Sequence, residues 1–194
     1  MDIYWYGQSF FKIKGKSATV VIDPFSPQST GFKLPKDLSA DIALSTRSHP
    51  DHNCLKAVDG NPVQIAGPGE YEVKGVAITG VQSGTNTVFN VQIDNLNIVH
   101  LGDLGHELTD EQVEEIGVAD ILLIPVGNNR SLGAKEAAEV VSQLEPRVVI
   151  PMNYDNVDGF LKEMGVESAS PLVRLSIVKD KLPQETEVVL LSKA

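Results

Sequence analysis

In the segment Ser45-Thr46-Arg47-Ser48-His49-Pro50-Asp51-His52, two imidazoles and a carboxylate fall within four positions, directly after the apolar run Ile42-Ser45. A tight loop at a strand end can aim all three side chains at one point. Imidazole nitrogens with a carboxylate oxygen suit a borderline divalent ion such as zinc, with manganese or iron as alternatives. The same segment also reads as a polar loop whose histidines cap backbone groups. Two further stretches bear on that choice. His100-Leu101-Gly102-Asp103 follows the apolar Leu96-Val99 and runs on to His106, while Val148-Val149-Ile150 runs into Pro151-Met152-Asn153-Tyr154. In α/β sheets ligands gather at the carboxyl ends of strands, so three apolar strands ending in polar side chains point to one cleft.

The elements that must position these residues change character near Asp103. Before it, short strands are expected at Ile3-Tyr6, Phe10-Ile13, Thr19-Ile22, Ile42-Ser45, Val63-Ala66, Tyr71-Val73, Val76-Val81, Thr87-Ile93 and Leu96-Leu101. Asp23-Pro24 stops the third, and the polar pair Asp94-Asn95 predicts a hairpin. Beyond Asp103 strands alternate with helices. Thr109 and Gln112 have capping-box spacing, with Asp110 and Glu111 at the positive helix start and Gly117 as the stop. Ala137, Val140, Val141 and Leu144 share one face of a helix that Pro146 ends, and Val157, Phe160, Leu161 and Met164 repeat that spacing before Gly165. Ile121-Ile124 and Val148-Ile150 lack alternation and read as strands buried on both faces. Glu187-Leu191 is expected to close the sheet.

Composition narrows the function. The 194 residues suit one domain over 1–194. The formal charge of −10 argues against a sequence-independent grip on nucleic acid or an anionic membrane, since both need a basic face. A single cysteine, Cys54, and a start without an apolar leader fit the reducing cytoplasm. No apolar run approaches the ~20 residues that span a bilayer. The expected partner is a small-molecule substrate or anion, and self-association into a homo-oligomer is left open.

Taken together, the sequence resembles the metallo-β-lactamase superfamily, in particular its compact branch similar to ascorbate-6-phosphate lactonase. The resemblance spans essentially the whole chain. It rests on Gly7-Gln8-Ser9, Ile22-Asp23-Pro24, the Thr46-to-His52 segment, Gly67-Pro68-Gly69-Glu70-Tyr71, His100-to-His106, Ile124-Pro125-Val126-Gly127 and Ile150-to-Tyr154. It implies a mixed α/β fold, the four-layer αβ/βα sandwich, with two metal ions in a cleft at the edge of two sheets. It also implies hydrolase chemistry on a lactone, amide or phosphoester.

Against the family motif H-x-H-x-D-H, this chain has Arg47 where the first histidine stands. The resemblance assigns His49 to one ion, Asp51 and His52 to the other, and Asp103 to both. Asn153 stands in place of a late histidine, Gln8 in place of an early one, and the stretch Val81-Asn86 holds none. The first site then keeps too few ligands for zinc, which normally takes at least three from the protein. The second keeps Asp51, His52 and Asp103, with a carbonyl oxygen from Asn153, enough for at most one ion, zinc or a harder one such as manganese or magnesium. Arg47 is expected either in the vacated space, paired with Asp103 or Asp51, or pointing to solvent. In the enzyme reading Asp51 handles protons and Arg47 stabilises developing negative charge, with weak turnover. The alternative is an inactive member, holding no metal, whose cleft binds a small anion or a protein partner. Cys54 reads as a small buried hydrophobe, His100 and His106 as hydrogen-bonding residues beside Asp103, and Glu70 and Glu72 as solvated neighbours of an inward Tyr71.

Overall fold

The computed structural model describes residues 1–127 and 131–194. The short early strands β1 (Asp2–Gly7), β2 (Phe10–Lys14), β3 (Thr19–Ile22), β4 (Ile42–Leu44) and β5 (Val63–Ile65) pair in that order. β1 alternates half-buried and buried positions, the pattern of a strand with one face on the core. β1 to β3 are antiparallel, whereas β3, β4 and β5 run parallel, so the chain leaves β3 and β4 at the same edge of the sheet.

The second sheet begins as a meander of β6 (Gly69–Val73), β7 (Val76–Ser83), β8 (Asn86–Ile93) and β9 (Leu96–His100). Asp94 and Asn95 both take positive φ, 52° and 64°, which gives the β8–β9 hairpin its tight turn. β9 then pairs in parallel with β10 (Ile121–Pro125), which pairs in parallel with β11 (Val148–Met152). Every residue of β10 and β11 is buried, as their unbroken apolar runs require. Three helices cover this sheet: α2 (Asp110–Ile116), α3 (Ala134–Leu144) and α4 (Asp158–Glu163), after a one-turn α1 (Pro27–Thr30) in the first half. Thr109 and Gln112 close the capping box at 3.2 and 3.0 Å. Ala137, Val140, Val141 and Leu144 form the buried face of α3. Each valine or leucine buried there contributes about 1.5–3 kcal/mol of transfer free energy.

The sheets face each other across a core that joins Ile3, Trp5, Phe11 and Ile13 to Phe89, Val91, Ile98, Leu123 and Ile150. Among the described residues, no long helix lies on the outer face of the first sheet. Phe25, Leu38, Leu55 and Val58, from the 23–41 connection and a 3-10 turn at Leu55–Ala57, cover it instead. Two short strands complete the sheets, β12 (Leu175–Ser176) beside β1 and β13 (Glu187–Val188) beside β11. The tail strand is thus shorter than Glu187-Leu191, because beyond Val188 the chain leaves the second sheet and Leu191 bridges to Leu172. The mixed α/β class and the two packed sheets agree with the reading of the sequence. Among the described residues no helix is long and apolar enough to cross a membrane.

Candidate active site

The polar loops that follow β3, β4, β9, β10 and β11 meet at one edge of the two sheets. Asp23, at the end of β3, anchors the first of them. Its buried carboxylate accepts hydrogen bonds from the Thr46 amide and from Thr46 Oγ1, both at 2.7 Å, with its own backbone in the left-handed region at φ 52°. Such a conformation is tolerated by Asp because its short side chain bonds locally, and here it turns the carboxylate onto the start of the 45–52 loop. The loop then tightens on itself: His49 N–H donates to Arg47 O at 3.0 Å and His52 N–H to His49 O at 2.8 Å.

That turn brings His49, Asp51 and His52 together, their potential ligand atoms all within 4.8 Å of one another. His52 is buried, with Nδ1 2.6 Å from Asp51 Oδ1, and His49 Nδ1 meets the same oxygen. His52 Nε2 is buried without a hydrogen-bond partner, 3.7 Å from Asp23 Oδ2. Burial pushes the Asp51 carboxyl up, but hydrogen bonds and charge from His52 and His49 outweigh it and hold the group well below the usual carboxylate range. Burial also disfavours charge on His52, yet Asp23, Asp51 and Asp103 together raise its pKa.

Asp103, after β9, is held differently. Arg47 Nη1 donates to its Oδ2, and Asn153 Nδ2 approaches its Oδ1 at 3.4 Å. Asn86 fixes its backbone: Oδ1 accepts from Asp103 N–H at 3.0 Å while Nδ2 donates to Leu101 O at 2.8 Å. The loop approaches so closely here that a Cβ on Gly102, at φ +62°, would lie 2.3 Å from Asn86 Oδ1. Only glycine fits. Asn153 also takes positive φ, 62°, and its carbonyl oxygen lies 1.8 Å from where a Cβ on Gly127 would stand. Gln8, Asp51, His52, Asp103, Gly127, Ser131 and Asn153 line a cleft of about 120 Å³.

The remaining conspicuous residues stand apart. His100 is fully buried; Nε2 lies 2.8 Å from Ser9 O and Nδ1 accepts from Gly102 N–H at 3.0 Å, an arrangement that fits the neutral ring. Burial lowers its pKa. His106 is exposed and bonds Glu107 O, and Cys54 is half-buried outside the His49–Asp51–His52 group. Tyr71 packs on the core between exposed Glu70 and Glu72. Trp5 of β1 stacks on Tyr154 across the seam between the sheets, ring centroids 5.4 Å apart. The structuring roles of Asp23 and Asn86 escaped the sequence reading. The signal for Asp23 was an acidic residue at the end of an apolar strand, the same context that singled out Asp103.

Residues 2–153 match the model of the β-lactamase superfamily domain. A crystal structure of a candidate Zn-dependent hydrolase of the metallo-β-lactamase superfamily from Thermotoga maritima superposes with a TM-score of 0.84 at 37% identity, covering 98% of each chain. A UPF0173 metal-dependent hydrolase from Thermococcus onnurineus is 30% identical over 80% of this chain and 85% of its own. One from Methanopyrus kandleri is 26% identical over 79% and 84%. With the domain model matched over residues 2–153 and the Thermotoga structure superposing over 98% of its length, the chain belongs to the metallo-β-lactamase superfamily.

Proposed function

We propose that the protein is a metal-dependent hydrolase working with one divalent ion, zinc or manganese, held by His49, Asp51 and His52, on a small molecule with a lactone, amide or phosphoester bond. The observation that carries this reading is the convergence of His49, Asp51 and buried His52, whose potential ligand atoms all lie within 4.8 Å of one another. Two imidazoles and a carboxylate suit such an ion. The donor set does not fit a second one at Asp103, because Arg47 takes one carboxylate oxygen and the Asn153 amide faces the other.

When bound, the ion supplies Lewis-acid polarisation and makes water more acidic. The chain's own residues do the rest. Asp51, kept ionised by its imidazole neighbours, orients water through a carboxylate oxygen, a positioning role rather than the proton-handling one expected from the sequence, because its depressed pKa makes it a weak base. Arg47 spends one of its five N–H donors on Asp103, and the others meet negative charge developing on substrate oxygen.

Metal analysis of protein purified without chelator, with assays on a lactone, an amide and a phosphodiester, tests the reading. One ion per chain with chelator-sensitive hydrolysis is the expected result. Two ions would overturn the single-ion site. No ion and no turnover would make the chain the inactive, anion- or partner-binding member instead.

A further inference from the structure

β12 is the outermost strand of the first sheet, far from the cleft in sequence and open on one side. Ile177 N–H donates to Met1 O at 3.0 Å and Ile177 O accepts from the Met1 amino group at 2.8 Å, which continues the antiparallel pairing of β1 with β12. In such a ladder alternate residues turn their backbone groups to opposite sides, so those of Arg174, Ser176 and Val178 face away from β1. Of the five exposed large apolar side chains among the described residues, Leu172, Val173 and Val178 flank this strand, and Val173 is 69% exposed. Leu172 N–H donates to Leu190 O at 2.9 Å, which fixes the segment that presents them. Beside them a cavity of about 280 Å³ is lined by Met1, Asp2, Ser176, Ile177, Val178 and Lys181. The edge also carries both signs of charge. Arg174 stands 3.8 Å from Asp2 with more than half of its side chain exposed, and Asp180 lies on the 3-10 turn at Lys179–Lys181.

We propose that this edge pairs with a second copy of the chain, antiparallel about a two-fold axis at Ser176, so that the two six-stranded sheets run on as one. Ser176 is the centre of the outward-facing set 174, 176 and 178, and an axis there sets each outward residue against another. Ser176 meets Ser176 of the second copy, and Arg174 meets its Val178. The diagonal neighbour of Arg174 is then Asp180 of the second copy, an opposite-charge pair that the symmetry repeats. Val173, one residue beyond Arg174, reaches the side of the second copy where Val178 and Lys181 wall the cavity, and enters it. Knob, hole and charge pair thus all lie on one surface, as an isologous contact requires. A formal charge of −10 per copy opposes self-association elsewhere. On the outer strands of the second sheet, Glu70 and Glu72 of β6 and Glu187 of β13 would add like charges to such a contact. At β12 unlike charges meet.

Sedimentation equilibrium of the purified chain over a range of concentrations tests the pairing, and a reversible species of twice the chain mass is the expected result. Val173→Glu, at a side chain too exposed to matter for folding, should raise the dimer dissociation constant by about tenfold or more, the loss expected when one buried valine per copy is withdrawn. Val118→Glu, on the other strongly exposed valine, lies away from this edge and should leave the constant unchanged. Arg174→Asp should weaken the dimer, and adding Asp180→Arg should restore it, since the swapped pair again joins opposite charges across the axis. A chain that stays monomeric at every concentration would overturn the proposal and leave the edge to a strand of another protein. A dimer indifferent to Val173→Glu, or a charge swap without recovery, would overturn it as well by placing the contact elsewhere.

Discussion

Asp51 and Asp103 line the same small cleft from opposite sheets, and the partners that face them differ in kind. Asp103 is met by the guanidinium of Arg47, which keeps its charge at every pH a folded protein meets. Asp51 is met by His49 and His52, whose neutral rings are of the type that ligate metal. The first carboxylate meets a fixed guanidinium, whereas the second meets ring nitrogens whose charge depends on protonation. One cleft thus holds a closed half, where Arg47 pairs with the carboxylate, and an open half, where two imidazoles meet it.

Removing the open half should have the largest effect. His52→Ala is expected to drop bound metal from one ion per chain to almost none and to slow hydrolysis by at least about 100-fold, beyond the usual loss for residues that only orient ligands. Unchanged metal content by elemental analysis would place the centre elsewhere. Converting the closed half comes next: Arg47→His combined with Asn153→His should let the chain take up a second ion. If the double variant holds no more metal than its parent, Asp103 is not half of a displaced metal site. Breaking the closed half without replacing it should cost stability. Arg47→Ala leaves the nearly buried Asp103 without its cation, and urea titration should read a loss of about 2 kcal/mol, partly restored by adding Asp103→Asn.

The smallest difference lies in the pH dependence of metal-free protein. His52 has a folded pKa above its ordinary value near 6.5, so its contribution is fully present below that value and is lost as pH rises through the folded one. His100 is shifted the other way by burial; its contribution is present above about 6.5 and is lost as pH falls through its folded value. His52→Gln should therefore flatten the alkaline side of a stability profile and leave the acid slope. A profile that changes on the acid side instead would mean that His52 is not the group stabilised as a cation.

What the sequence made legible follows from how local each signal is. The 45–52 loop could be read because its ligand-type residues lie side by side, and α2 and α3 because a capping box and a 3.6-residue apolar spacing are properties of single segments. Arg47 could be placed against Asp103 because the substitution of a cation for a ligand leaves a carboxylate needing charge. Asp23 could not be read that way. Its hydrogen bonds reach 23 positions along the chain, and before Pro24 it looks like a strand terminator. The two-residue β12 was equally hidden, since Leu175 and Ser176 become a strand only by pairing with Ile3 and Asp2 across the whole chain. The outer layer over the first sheet followed no periodicity, because Phe25, Leu38, Leu55 and Val58 come from irregular connections.

The stacking of Trp5 on Tyr154 has a use in following how this molecule assembles. Arg47 and Asp103 are 56 positions apart and follow strands of opposite sheets, so their contact closes a long loop and forms only when the sheets dock. Trp5 is the chain's single indole and lies across that seam, against the residue next to Asn153. Its fluorescence during refolding is a built-in clock for docking, and formation of the Arg47–Asp103 pair should keep time with that signal.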